Sequence, residues 1–244
     1  LESNRQIKIN FDGGNLSSDA GLLLIKEFAA KIGFTKLIKK KFKTNDEAVR
    51  FHKDAENLLQ MIYQVISAYF EDDCADELTL DPVFQAVLGK ESLASQPTLS
   101  RFFNRMDEDT LVQFDDIDKN LRDIIYSIKR PEHVLLDLDS TLLGTYGRQE
   151  GEGFNFHYQA HGYHPLLCYD GLTGDLLKAE LRNGTLHCSN GADKFMESIF
   201  QEYLERGLKT YLRGDSGFSS PKLYETCESN GCSYAIRLKQ NSTL

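Results

Sequence analysis

The sequence predicts an all-helical N-terminal domain over residues 1–130 and an α/β domain with a mixed sheet over residues 131–244. Three observations lead there. The apolar spacing changes at Arg130-Pro131, from threes and fours to short continuous runs. Beyond that point strand-like and helix-like segments alternate, the pattern of helices laid on a sheet. Two of the strand-like runs end in aspartate, in Leu135-Leu136-Asp137-Leu138-Asp139-Ser140-Thr141 and in Arg213-Gly214-Asp215-Ser216-Gly217-Phe218. A strand end is a rigid mount at a sheet rim, and a carboxylate there can face an open cleft.

The first domain reads as helices from Ser17 to about Ile128. Leu58, Leu59, Met61, Ile62, Val65, Ile66 and Tyr69 recur at the spacing of a buried helical stripe. Asp81-Pro82 opens another helix, with Asp81 as cap and Pro82 at the first helical position. Ser95 to Met106 reads as a short helix and Asp107 to Ile128 as a longer one.

In the second domain, His133 to Asp139 is nearly continuous in apolar character, as in a central strand buried on both faces. Gly144 to Gly153 is a glycine-rich loop. Phe154–His161, His164–Asp170 and Leu176–Arg182 read as strands, separated by Gly162 and by the turn Gly171–Asp175. Gly191 to Arg206 is helical and stops at Gly207. Lys209–Arg213 is a strand, Ser220-Pro221 caps a helix that ends at Asn230-Gly231, and Ser233–Leu238 is the last strand.

This order suits a ribonuclease-H-like sheet. There the opening strands form an antiparallel meander, and the first strand pairs in parallel with the one reached through the first helix. Asp139 and Asp215 then become neighbours. Hard divalent cations such as Mg²⁺ take oxygen ligands, including one or two carboxylates. Two such ions can clamp the attacking and leaving oxygens of a phosphoryl transfer.

Composition narrows the class. With 41% hydrophobic and 27% charged residues in 244, a packed core is expected rather than disorder. No apolar run has membrane-spanning length. Five scattered cysteines, Cys74, Cys168, Cys188, Cys227 and Cys232, suit reduced thiols in a cytoplasmic setting. The formal charge of −9 counts against a wholly basic nucleic-acid binder, but it does not exclude a local basic groove. The lysines from Lys36 to Lys43 read first as a solvated face.

Several runs together resemble a known family. They are Leu136-Asp137-Leu138-Asp139-Ser140-Thr141, Gly162-Tyr163-His164-Pro165-Leu166, Thr173-Gly174, Leu181-Arg182-Asn183-Gly184 and Arg213-Gly214-Asp215-Ser216-Gly217-Phe218. Leu93-Ala94-Ser95-Gln96-Pro97-Thr98-Leu99-Ser100-Arg101-Phe102 extends the match into the first half. The chain resembles the DDE transposases of bacterial insertion sequences, and within them the group numbered 1380. The resemblance implies a ribonuclease-H-like domain that cuts and joins double-stranded DNA at transposon ends. It also implies a Mg²⁺ (or Mn²⁺) pair held by two aspartates and a glutamate, no membrane, and room for a homodimer in the full-length protein. The first aspartate falls on Asp139, with Asp137 on the same strand face as the alternative, and the second falls on Asp215. The third carboxylate belongs to a helix beyond the strand Ser233–Leu238. The sequence ends at Leu244, so it reads as a transposase lacking its C-terminal part and inactive as given.

Rival readings use the same residues. Asp-x-Asp-x-Thr after an apolar strand also resembles haloacid-dehalogenase-type phosphatases, with Asp137 as nucleophile and Asp139 as general acid. That reading needs a helix soon after Thr141. A non-catalytic DNA-binding remnant is another. The plainest is that Asp139 and Asp215 only cap the turns that follow them. His157, His161, His164 and His187 with Cys188 fit no strong zinc spacing. For DNA contact the candidates are Gln96, Thr98, Ser100, Arg101 and Arg105 on one helix, with Arg182 and Arg213 near the carboxylates. Leu99, Phe102 and Phe103 give that helix a core face that packing alone explains.

Overall fold

The computed structural model describes residues 1–13 and 18–239. Ser17, the expected start of the helical pattern, and Leu244 lie outside the described residues. The chain divides into two compact units, Leu1–Ile128 and Lys129–Leu244.

Every regular element described in the first unit is a helix: α1 (Leu22–Lys31), α2 (Phe34–Lys41), α3 (Asp54–Ile66), α4 (Cys74–Leu78), α5 (Pro82–Leu88), α6 (Gln96–Phe103) and α7 (Glu108–Ile128). Helix α5 begins where its sequence directs. The Asp81 carboxylate accepts from the Val83 and Phe84 N–H groups, each at 2.9 Å, and Pro82 fills the first turn without wasting a donor. Leu23, Tyr63, Phe84 and Leu93 form one core cluster, and Ile38, Phe42, Leu58, Phe102 and Ile117 another.

Helix α3 corrects the expected stripe. Leu58 and Leu59 are buried, but Val65 and Ile66 are exposed, and Tyr63 takes their place in the core. Polar residues share the inward face, because Gln60 has a backbone partner there. Its Nε2 donates to the Ala94 carbonyl and its Oε1 accepts from the Ala94 N–H, both at 2.8 Å. Period counting that credits only apolar residues rotates the face away from such a glutamine.

In the second unit the main sheet contains β1 (His133–Ser140), β5 (Leu166–Asp170), β6 (Leu176–Glu180), β7 (Lys209–Gly214) and β8 (Ser233–Ile236), in the order β6-β5-β1-β7-β8. It is the mixed sheet expected. β1 pairs antiparallel with β5 and parallel with β7, and β7 is parallel to β8. Helices α8 (Ala192–Glu205) and α9 (Pro221–Ser229) pack on it, α8 against β6 and β7 and α9 against β8. Gly191 and Gly207 bound α8, and the Ser220 hydroxyl caps α9 through the Leu223 N–H.

Two expectations fail here. β1 is buried on one face only. Val134, Leu136 and Leu138 are in the core, while His133 and Asp139 are exposed and Leu135 and Asp137 are half-buried. The stretch Phe154–His161 is not one strand. It is β3 (Gly153–Asn155), a turn, and the start of β4 (Ala160–Tyr163), which join β2 (Leu143–Gly144) in a separate small sheet ordered β2-β4-β3. Asn155 causes the break. Its amide oxygen accepts from the His157 and Tyr158 N–H groups at 3.0 and 3.1 Å, and Gln159 takes a left-handed φ of 55°.

Candidate functional site

The parallel register of β1 and β7 builds the site. Asp137 lies opposite Arg213, and Leu138 opposite Gly214. Asp139 is the next residue on β1, and Asp215 is the first residue past the end of β7. Both are exposed, and both line a single cavity of 510 Å³. Each carboxylate is steadied by the backbone that follows it. Asp139 Oδ1 accepts from the Ser140 N–H at 2.7 Å, and Asp215 Oδ1 accepts from the Gly217 N–H at 2.8 Å, opening the 3₁₀ turn Ser216–Phe218. The plain capping role is therefore real. It engages one oxygen of each carboxylate, and a carboxylate has acceptor capacity beyond that.

Asp137, the alternative first ligand, is committed elsewhere. Arg213 grips it with both arms of its guanidinium, Nε to Oδ1 at 2.7 Å and Nη2 to Oδ2. The same hydrogen bonds raise the pKa of Arg213. Arg213 was a candidate for phosphate contact; its Nε and Nη2 donate to Asp137, while its side chain stays 61% exposed. Arg182 is corrected outright: it is buried, donates from Nε to the His164 carbonyl at 3.0 Å, and reaches the Asn190 carbonyl through Nη1. Burial, first of all, lowers its pKa. Arg182 is a buried cation that ties the loop after β6 to the segment between β4 and β5 and to the turn before α8.

One side of the cavity is fastened by Asn155 and Asn183, to which the sequence reading gave no site role. Asn155 Nδ2 donates to the Gly184 carbonyl at 2.8 Å, and Asn183 Nδ2 donates to the carbonyls of Gly151 and Glu152 at 2.8 and 3.0 Å. Gly184 must be glycine, since a Cβ there would lie 2.3 Å from both the Gly153 and the Gly162 carbonyl oxygens. These contacts fasten the segment 183–188 onto the small sheet. Phe156, Tyr158 and His187 then line the cavity beside the two aspartates, with Phe156 76% and Tyr158 45% exposed. The Asn183-Gly184 dipeptide was the signal available, yet its packing partner is a sheet formed by residues thirty positions earlier.

His157 and His164 also line this cavity, whereas His161 pairs with Glu152 at 2.9 Å. His164 Nδ1 sits 2.8 Å from the Leu186 carbonyl, an acceptor only, so that nitrogen carries the proton. Cys188 lies near His187, Sγ to Nδ1 3.7 Å, and burial followed by the Asp215 charge pushes its thiol up. Among the described residues no three His, Cys, Asp or Glu side chains converge as a metal-holding group. The chemistry fits a hard cation all the same: two exposed carboxylates on strand ends share one open cavity, and oxygen donors suit Mg²⁺ or Mn²⁺.

The candidate DNA contacts of α6 belong to the first unit. Gln96 is held by acids, its N–H on Asp76 at 2.8 Å and its Nε2 on Asp72 at 2.7 Å. Arg105 binds Asp54 at 2.8 Å and the Arg101 carbonyl at 3.0 Å. Thr98 meets the Ser95 hydroxyl at 3.2 Å, and Ser100 is half-buried. Leu99 and Phe102 are buried, and Arg101 is exposed at a small cleft with Thr98 and Phe51.

The phosphatase reading is not supported by this geometry. β1 runs on into a loop and the short β2 rather than a helix, its neighbour β5 is antiparallel, and Asp137 is ion-paired.

The second unit is thus a mixed-sheet α/β unit that seats two strand-end aspartates in one cavity. The family model described as "Transposase DDE domain group 1" matches residues 1–244, and the chain belongs to that family. No curated protein matches it. Among solved structures it is similar to the catalytic domain of the Mos1 mariner transposase, with 12% identity over 56% of this chain and 63% of that one, TM-score 0.31. It is also similar to the piggyBac transposase in a synaptic complex with hairpin DNA, with 16% identity over 92% of this chain and 51% of that one, TM-score 0.40. The Mos1 catalytic domain with raltegravir and Mg is a third, with 12% identity over 56% and 64%, TM-score 0.30. The chain thus spans from half to just under two thirds of these relatives' length.

Proposed function

We propose that this chain carries the DNA-processing centre of an insertion-sequence transposase of the 1380 group, with Asp139 and Asp215 as its metal-holding carboxylates. One observation carries the reading: the two aspartates leave adjacent parallel strands at the same level and share one cavity, in a chain of the transposase DDE family. The reaction is in-line attack by water or a DNA 3′-hydroxyl on a phosphodiester at a transposon end. A divalent pair, when bound, would activate that hydroxyl and neutralise the leaving oxygen.

The chain's own residues supply position. The Ser140 and Gly217 N–H groups fix the carboxylates against rotation. The Phe156 and Tyr158 rings offer faces on which unpaired bases at the cut end can stack. Arg101 of α6 is the best-placed DNA contact of the first unit, which we read as a helical DNA-end-binding domain. With two carboxylates in the described cluster, the chain by itself holds metal weakly and cuts DNA poorly. We assign it to the cytoplasm, where its free thiols stay reduced, and to a homodimer.

The test is cleavage of a labelled duplex carrying the element's terminal sequence, with Mn²⁺ or Mg²⁺. Nicking that needs metal and disappears in Asp139→Ala and Asp215→Ala supports the reading. Nicking that persists in either variant sinks it.

A further inference from the structure

Asp137 and Asp139 project from the same face of β1, and their roles are separated by what each one meets. The parallel ladder between β1 and β7 has its last register pair at Leu138 and Gly214. Asp139 is still supported on its other side, opposite Leu167 of β5, but Asp215 lies past the end of β7. Parallel pairing is slightly weaker per residue than antiparallel. A fastening across the two strands just below them would set the spacing of Asp139 and Asp215.

The ion pair one rung lower has the form of such a fastening. Arg213 and Asp137 are register partners, and the planar guanidinium meets the carboxylate through two parallel hydrogen bonds. A two-pronged bond of this kind fixes direction as well as distance. Backbone from the turn after β5 lies against the other side of the carboxylate. The Gly171 N–H donates to the Leu135 carbonyl at 2.7 Å, which draws the turn after β5 over β1. A Cβ at Gly171 would lie 2.5 Å from Asp137 Oδ2, so bare backbone abuts the carboxylate there. Asp137 is thus wedged between the β5 turn and the β7 guanidinium, and it does not line the cavity that Asp139 and Asp215 share.

We propose that Asp137 and Arg213 are positioning residues, a latch across β1 and β7 that sets the spacing of Asp139 and Asp215, and that Asp137 is not a metal ligand. This rests on the reading of Asp139 and Asp215 as the metal-holding carboxylates.

The experiment is Mn²⁺ titration calorimetry on the full chain and its variants, alongside thermal melts without metal. Asp215→Asn serves as the ligand-loss control and should abolish binding. Arg213→Gln and Asp137→Asn should each weaken Mn²⁺ about tenfold, the lower end for residues that orient metal ligands. The double variant should be no weaker than either single one, and Arg213→Lys should fall between wild type and Arg213→Gln. If Asp137 were a ligand, Asp137→Asn would abolish binding as Asp215→Asn does. Arg213→Gln would then tighten Mn²⁺, because the guanidinium would no longer compete for the carboxylate. Either result overturns the latch. Absence of Mn²⁺ binding in the unaltered chain would instead overturn the metal-site reading. The metal-free melts would then decide the latch by themselves: equal loss of Tm in both single variants and the double supports it, and additive losses overturn it.

Discussion

Asp139 and Asp215 are 76 positions apart in sequence, yet each is the residue immediately beyond the Leu138–Gly214 register pair of two parallel strands. The backbone alone makes them neighbours. The α8 crossover makes β7 parallel to β1, so both strands end at the same rim of the sheet.

The pair should respond to cations through stability. Two like charges on one rim repel, and a bound divalent ion both removes that cost and stabilises the folded state by mass action. At ten times Kd the gain is about 1.4 kcal/mol, a Tm rise of a few degrees. Melts in millimolar Mg²⁺ or Mn²⁺ should show it in the unaltered chain and lose it in Asp139→Asn and Asp215→Asn. A metal response of equal size in the variants would remove both aspartates from the site.

The strand order and the aspartate pair were legible in the sequence, because both depend on local periods and on the handedness of one crossover. Most of what was not legible depends on contacts distant in sequence. One miss is local: Phe154–His161 looks like a strand until the Asn155 amide oxygen folds back onto the His157 and Tyr158 N–H groups. Arg182 looks like a surface cation until the carbonyls of His164 and Asn190 enclose it. The fastened side of the cavity could not be foreseen, since Gly184 and the small sheet it packs on are defined only by each other.

Gly184 offers a direct check of that fastening. A methyl group there must push the Gly153 and Gly162 carbonyls aside, and overpacking of this kind costs about 1–3 kcal/mol. Gly184→Ala should lower the urea midpoint with an unchanged slope, and it should weaken Mn²⁺ less than Asp215→Asn does. An unaltered midpoint would mean that the segment 183–188 is not seated on the small sheet.

In the first unit, Gln60 should be worth more than its polarity suggests. It satisfies both the N–H and the C=O of Ala94, a residue with no solvent exposure. Gln60→Leu strands both groups, at about 1–3 kcal/mol for each buried polar group left unpaired. Gln60→Glu should be no better, because a buried carboxylate oxygen would face the Ala94 carbonyl, acceptor against acceptor. Chemical denaturation of the three proteins gives the order, and a Leu variant as stable as the original would show that Ala94 is satisfied in some other way.

The last prediction separates DNA cutting from phosphomonoester hydrolysis, the two chemistries that an Asp-x-Asp strand end can serve. In the phosphatase scheme Asp137 must be a free nucleophile, but here both of its oxygens accept from Arg213. Attack from that carboxylate would first have to break a bidentate ion pair. Asp139 and Asp215 suit metal-assisted attack by an external hydroxyl, which needs in-line geometry rather than a protein nucleophile. The chain should therefore leave an aryl phosphate untouched at any pH between 5 and 9. With Mn²⁺ it should nick terminal-repeat DNA slowly, at a rate that falls at least tenfold in Asp139→Ala and in Asp215→Ala. Turnover of the aryl phosphate that vanishes in Asp137→Asn and rises in Arg213→Gln would reverse the assignment, because only a nucleophile freed from its ion pair behaves that way.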